Sequence, residues 1–334
     1  MEDRILLAHG SGGKLSHDLI KDLLIHELGN PCLNLLDDAA ALTLNGRIAF
    51  TTDSYVISPL FFPGGDIGKL AVCGTVNDLS MVGAIPKYVS LALIIEEGFL
   101  LRDLKKIISS IRTTAQEAGV EVVTGDTKVV NCGSADKLFI NTAGIGIIPA
   151  GVELSGSNAR IGDKIILSGP IGDHGIAILC QREGLEFKTS LESDCAPLNK
   201  LVADMLETPN NIHALRDPTR GGLASTLNEF AESSKVGIKI EEDKIPIKDT
   251  VRAACELLGF DPLYVANEGK LVAVVDSQAA EKVLSKMQKI EQGTRAAIIG
   301  EVVADYPGKV VMKTRFGSSR IISMLAGELL PRIC

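Results

Sequence analysis

Residues 68–84 read GKLAVCGTVNDLSMVGA, and their Gly, Ala and Val residues allow the close packing of a buried helix. The segments on either side make this half of the chain a mixture of helix and strand. Before it, residues 41–54 (ALTLNGRIAFTTDS) hold two β-type runs joined by Asn45-Gly46, a pair that favours a two-residue hairpin turn. Further upstream, residues 15–29 place Leu19, Ile20, Leu23, Leu24 and Ile25 at helical spacing, with Gly29 as the stop. After it come a strand in YVSLALIIEE (88–97), a helix over 101–119 ending at Gly119, and a strand in VEVVTGDTKVV (120–130). A second hairpin, through NCGSAD (131–136), is expected to lead into KLFINTAGIGIIP.

Around residues 150–163, AGVELSGSNARIGD, the pattern relaxes into Gly, Ser and Asn, the composition of a domain boundary. The second half restarts with a strand at KIILSGPIG (164–172). Helices follow at about 197–207, 221–234, 248–258 and 278–288, and strands at VGIKI, LVAVVD, AAIIGEVV and GKVVMKTR. The expected organisation is an α+β domain over 1–152, a second mixed domain over 153–325, and a tail over 326–334. Gly327 and Pro331 make that tail a poor helix and a mobile segment.

Composition narrows the class. A length of 334 residues suits about two domains. With 4% aromatic residues and no Trp, the cores must be built from Leu, Ile, Val and Ala. A net charge of −8, without a basic cluster, argues against nucleic acid and acidic membranes. No uninterrupted apolar run is long enough for a transmembrane helix, and the opening MEDRILLAHG is not a secretory signal. Seven cysteines at wide spacings, with no CxxC pair, form neither a disulfide framework nor a zinc site. They point to a reduced, cytosolic chain in which Cys334 is a free thiol.

The chemistry gathers in a few places. Asp37-Asp38, Asp53, Asp78 and Asp126 stand at element ends beside small residues. Such oxygens suit a hard divalent cation such as Mg²⁺, which shares carboxylates with substrate phosphates. Asp is also common in turns and helix caps, so spacing alone leaves both readings open. AHGSGGKL (8–15) fails the Walker A and dinucleotide spacings; it is either a glycine-rich loop closing on a phosphate or a plain turn before a helix. RDPTRGG places Arg220 ahead of a helix, and VANEGKLV places Glu268 ahead of a buried strand. No HExxH or GxSxG occurs, so zinc catalysis and a hydrolase triad are poorly supported.

HGSGGK, DDAA, TTDS, VNDLSMVGA, TGDTKV, DPTRGG, NEGKL and a closing PRIC follow one another in this order across nearly the whole chain. In this the sequence resembles the HypE family of hydrogenase maturation factors. That family lies within the superfamily of aminoimidazole ribonucleotide synthetase, selenophosphate synthetase and thiamine-monophosphate kinase. The closing Pro-Arg-Ile-Cys is the mark specific to HypE. The resemblance implies an N-terminal domain forming a barrel-like homodimer interface with ATP near it, and a C-terminal α/β sandwich covering the site. It implies ATP-dependent dehydration of a carbamoyl group carried on Cys334, from thiocarboxamide to thiocyanate, supplying the cyanide ligands of [NiFe] hydrogenase iron. The carbamoyltransferase HypF would load the thiol, and a HypC–HypD complex would receive the cyano group. By the same resemblance Asp38, Asp53, Asp78 and Asp126 hold Mg²⁺, and Gly12, Gly13, Asp37, Asp53, Asn77, Gly125 and Asp126 bind ATP. Glu268 is then the base, with Lys128 and Arg220 as the neighbouring cations.

Overall fold

The computed structural model describes residues 4–185, 191–207, 211–327, 330 and 332–334. Helix α1 (Lys14–Leu19) continues through a π-helical segment, Ile20–Ile25, into α2 (His26–Leu28). Strand β1 (Arg47–Tyr55) and the short pair β2 (Phe61–Phe62) and β3 (Gly65–Asp66) precede α3 (Ile67–Met81). Then follow β4 (Ile85–Glu96), α4 (Leu101–Ala118), β5 (Glu121–Val130) and β6 (Leu138–Ile148). Strands β1, β6, β4 and β5 form one sheet in that order, with β4 and β5 parallel and the other pairs antiparallel.

Helix α3 is as deeply set as its composition requires: 13 of its 15 residues are buried. Asp66 caps its start, accepting from Gly68 N at 2.7 Å and Lys69 N at 3.0 Å. Its small residues let it approach both neighbours. A Cβ on Gly68 would stand 2.6 Å from the Ile107 carbonyl of α4, and one on Gly144 of β6 would stand 2.5 Å from Thr75 Cγ2. The helix therefore wedges between α4 and the sheet, inside a core of Ile, Leu and Val.

Neither expected hairpin forms. Residues 40–45 make no strand; Leu42 instead lines a groove on the open face of the sheet, and β1 pairs only with β6. Strands β5 and β6 are not neighbours, because β4 lies between them. The segment between them crosses the end of β4, where the Glu96 carboxylate accepts from Gly133 N at 2.6 Å and Lys137 N at 2.9 Å. Both segments carry good turn residues, but pairing partners are decided by long-range packing that turn chemistry does not encode.

The second half comprises β7 (Lys164–Leu167), α5 (Asp173–Glu183), α6 (Asn199–Met205), β8 (Ile212–Arg216), α7 (Gly222–Ser234) and β9 (Gly237–Glu241). It continues with α8 (Asp249–Leu258), β10 (Val272–Val275), α9 (Ala280–Met287), β11 (Ala297–Val303), β12 (Val310–Lys313) and β13 (Ser319–Ile322). Its seven-stranded sheet runs β13-β12-β9-β11-β7-β10-β8. Along β10, Val272 and Val274 face a layer built on α7, whereas Ala273 and Val275 face α6 and α9. This is an α/β sandwich. The sequence reading had no element at α5, β8 or β13: α5 and β8 are short runs rich in buried residues, which periodicity cannot classify, and β13 is a four-residue edge strand. Among the described residues no helix is long and apolar enough to cross a membrane.

Candidate active site

Two regions collect the residues singled out by sequence. The first is a cleft of about 320 Å³ beside edge strand β5. Ile20, Leu24, Leu28 and Val122 give it an apolar wall; Gly12, Ser16, Asp37, Gly125, Asp126 and Lys128 give it a polar one. The glycine loop is anchored on this edge, because a Cβ on Gly10 would meet the Val129 backbone nitrogen. Ser16 Oγ donates to the His9 carbonyl at 2.5 Å and accepts from Gly12 N at 3.2 Å, tying the loop back on itself. Gly12 has φ +78° and an open surrounding; Gly13 stands at the start of α1. Lys128 Nζ lies 3.0 Å from Asp126 Oδ1. Asp38 lines the adjoining groove with Ser90 and Thr124 on the open face of the sheet.

The second region lies past the opposite edge of that sheet, where the last residues of the chain are seated. Val56 N donates to the Cys334 carbonyl at 3.3 Å and Ser58 N to the Arg332 carbonyl at 3.2 Å, as an added strand would pair. Arg332 Nε returns a bond to the Val56 carbonyl at 2.8 Å, and its guanidinium reaches Asp136 at 2.5 Å. Ile333 is buried in the N-terminal core. Pro331 lies outside the described residues. Cys334, Arg220, Gly221 and Tyr264 line a cavity of about 320 Å³. Burial, with the Glu268 charge next, pushes the Cys334 thiol up to about 12.

Around this seat the acids are crowded. Asn77 on α3 reaches across the domain boundary: its Nδ2 donates to the Ala196 carbonyl at 3.2 Å and the Glu268 carbonyl at 3.4 Å, and its Oδ1 accepts from Leu198 N at 2.8 Å. Glu268 is buried, its Oε1 has no partner, and burial together with nearby acids raises its carboxyl well above the usual range. Thr51 Oγ1 donates to Asp78 Oδ2 at 2.8 Å. Burial, with the Asp217 and Asp53 charges, pushes Asp78 up to about 7. Asp217, to which sequence reasoning gave no role although it opens DPTRGG, is raised to about 6, first by burial. Its signal was present: a second acid stands three residues before Arg220.

The four acids expected to share a metal do not meet in one chain. Asp126 is in register with Ala92, Ala92 with Asn141, and Asn141 with Ser54. Three strand spacings, about 14 Å, therefore separate Asp126 from β1. Asp38 and Asp126 serve the cleft and open face, while Asp53 and Asp78 serve the acidic cluster. Lys128 sits with Asp126 and is likewise remote from Glu268, whereas Arg220 and Glu268 both act on Cys334. Among the described residues no three His, Cys, Asp or Glu side chains converge closely enough to cage an ion. Asp53, Asp78 and Asp217 fit the other arrangement, in which one or two carboxylates share Mg²⁺ with nucleotide phosphates.

Family models for AIR synthase related proteins match this chain twice, the N-terminal domain over residues 36–148 and the C-terminal domain over 160–313. Carbamoyl dehydratase HypE of Azotobacter vinelandii is 54% identical over 329 residues, covering 98% of this chain and 96% of that protein. The chain belongs to the HypE family. A crystal structure of the hydrogenase maturation protein HypE in complex with ATP superposes with a TM-score of 0.96 at 50% identity, covering 98% of this chain and 99% of that one. A HypE chain from a HypE–HypF complex superposes at 0.82, also at 50% identity, over 92% and 99% of the two chains.

Proposed function

We propose that this chain is an ATP-dependent carbamoyl dehydratase whose substrate is the carbamoylated thiol of its own Cys334. The observation that carries the reading is the seat of Cys334, in a cavity with Arg220 and beside a buried, unpaired Glu268. Burial that pushes the thiol up to about 12 makes a thiolate costly in this seat. A thiocarboxamide carries no ionisable thiol, so loading removes that obstacle and suits the group to this pocket.

The reaction converts the S-carbamoyl group and ATP into a thiocyanate, ADP and phosphate. The amide oxygen attacks the γ-phosphoryl group while one N–H proton is lost. Departure of the phosphorylated oxygen with loss of the second proton then forms the carbon–nitrogen triple bond. Glu268 is the base, Asn77 holds its backbone in place, and Arg220 offsets the developing negative charge. Gly12, Gly13, Asp37, Gly125, Asp126 and Lys128 bind the nucleotide, whose base suits the apolar wall of the cleft. Asp53 and Asp78, with Asp38 and Asp126 as further candidates, would hold Mg²⁺, which when bound would supply positive charge for phosphoryl transfer.

The two regions lie on opposite edges of the four-stranded sheet, and a homodimer would let the cleft of one copy serve the Cys334 pocket of the other. The open face of the four-stranded sheet exposes Ile48, Phe50 and Ile94, the apolar surface that a second copy would cover. The remaining assignments follow the family: a domain boundary near 152, a tail over 326–334 that leaves its seat, loading by HypF, transfer to HypC–HypD, and a cytoplasmic location. In intact mass spectrometry, carbamoyl-loaded protein given Mg-ATP is expected to lose the mass of one water at Cys334. An unchanged mass in protein shown to bind ATP overturns the reading.

A further inference from the structure

His174, at the start of α5, is buried completely and both of its ring nitrogens are engaged. Nε2 stands 2.8 Å from the Ile333 carbonyl, and Nδ1 2.7 Å from Ser193 Oγ. A carbonyl only accepts, so Nε2 carries a proton; burial lowers the ring's affinity for a second one, which leaves Nδ1 as the bare acceptor for Ser193 Oγ–H. Phe62 closes the ring in by an edge-to-face contact at 5.6 Å. From the second domain, His174 therefore grips the carbonyl immediately before Cys334, and Arg182 of the same helix donates to the Arg332 carbonyl at 3.0 Å.

The grip continues toward Glu268. Ser193 Oγ also accepts from Cys195 N at 3.0 Å, and Asp194 Oδ1 accepts from Glu268 N at 3.1 Å. Lys270 Nζ, 3.0 Å from Asp194 Oδ2, holds that carboxylate in place. Residues 193–195 thus join the tail's last peptide carbonyl, through His174, to the backbone of Glu268 by a chain of buried and partly buried hydrogen bonds.

We infer that His174 is a positioning residue: its Nε2–H latches the Ile333 carbonyl and sets the group on Cys334 in register with Glu268. The inference rests on the dehydratase reading for its purpose, but the latch itself can be tested without turnover. Gln and Asn separate the two ring nitrogens. In H174Q the amide nitrogen falls at the position of Nε2 and can still donate to Ile333, whereas H174N reaches only as far as Nδ1.

The experiment measures the rate at which a small thiol reagent labels Cys334 in the unloaded full-length chain, with the other six cysteines replaced by Ser or Ala. H174N is expected to label about tenfold faster than the parent, the size of one buried hydrogen bond lost, and H174Q within about threefold of it. Equal rates in all three proteins, or equal acceleration in both variants, overturn the latch. If either variant fails to fold, ¹⁵N spectra of the imidazole in the otherwise wild-type chain decide. The Nε2–H signal should be protected in the full chain and exchange rapidly after deletion of Ile333 and Cys334; indifference to the deletion overturns the proposal. In loaded protein H174N should slow dehydration about tenfold at unchanged ATP affinity, with recovery in H174Q. If labelling responds as expected but even the wild type loses no water, the dehydratase reading fails and the latch stands.

Discussion

The cleft beside β5 and the pocket at Cys334 handle charge in opposite ways. In the cleft, the Lys128–Asp126 pair is open to water, with side chains 63% and 59% exposed. Such a pair is screened and contributes at most about 1 kcal/mol to folding. In the acidic cluster near that pocket, Asp78, Asp217 and Glu268 are raised first by burial, and the charge of Asp53 raises each of them further. Their crowding opposes folding whenever they ionise, so the molecule carries a strained acidic cluster in one region and a relaxed, solvent-screened charge pair in the other. Deviations from good stability of this kind concentrate where chemistry is done.

The comparison breaks most visibly if Glu268 is not the base. E268Q keeps the size and the buried site but removes the proton acceptor. Dehydration of the loaded thiol should fall by about 10²–10⁴-fold, while HypF-dependent loading proceeds. Single-turnover mass spectrometry of the loaded variant checks it; a loss of less than tenfold assigns the proton to another group.

The second test is electrostatic and smaller. Asp78 binds its proton up to about 7 in the folded state against an ordinary value of 3.8. Between roughly pH 4 and 7 the folded chain therefore holds a proton that the unfolded chain has released, and stability falls as pH rises through this window. D78N cannot ionise and should flatten that slope, raising stability at pH 8 by on the order of 1–2 kcal/mol, after discounting for charge shared with Asp217. Thermal melts of both proteins at pH 5 and 8 measure this. Mg-ATP should raise the wild-type Tm more at pH 8 than at pH 5; the reverse order would remove the acids from metal binding.

These two regions were not equally legible in the sequence. The helix at 68–84, with Asn77 and Asp78 on it, could be read because small residues over four turns have few other uses. Glu268 and Arg220 could be placed because each precedes a recognisable buried element. The division of the acids could not be read. It depends on β4 lying between β5 and β6, which arises from long-range pairing, and Asn45-Gly46 and residues 131–136 pointed to simpler hairpins. The tail was read as free because Gly327 and Pro331 disfavour a helix. In the structure it is seated by paired backbone groups, by Arg332 on Val56 and Asp136, by the buried Ile333 side chain and by His174, partners far away in the sequence that Pro-Arg-Ile-Cys does not announce.

The smallest expected effect on the fold tests how the regions cooperate. K128A removes only the exposed pair, so its thermal stability should stay within about 1 kcal/mol of wild type. Nucleotide affinity should nevertheless fall about tenfold, as expected when a charge-assisted contact to phosphate is lost. A cleft that serves the Cys334 pocket of a second copy adds a sharper consequence. Mixing K128A with E268Q chains then gives half of the dimers one intact site out of two, restoring about a quarter of wild-type dehydration at ATP concentrations well below saturation, where each parent alone retains about a tenth or less. If both act within one chain, no mixture recovers, and the distance of about 14 Å between Asp126 and β1 must close by motion within the subunit.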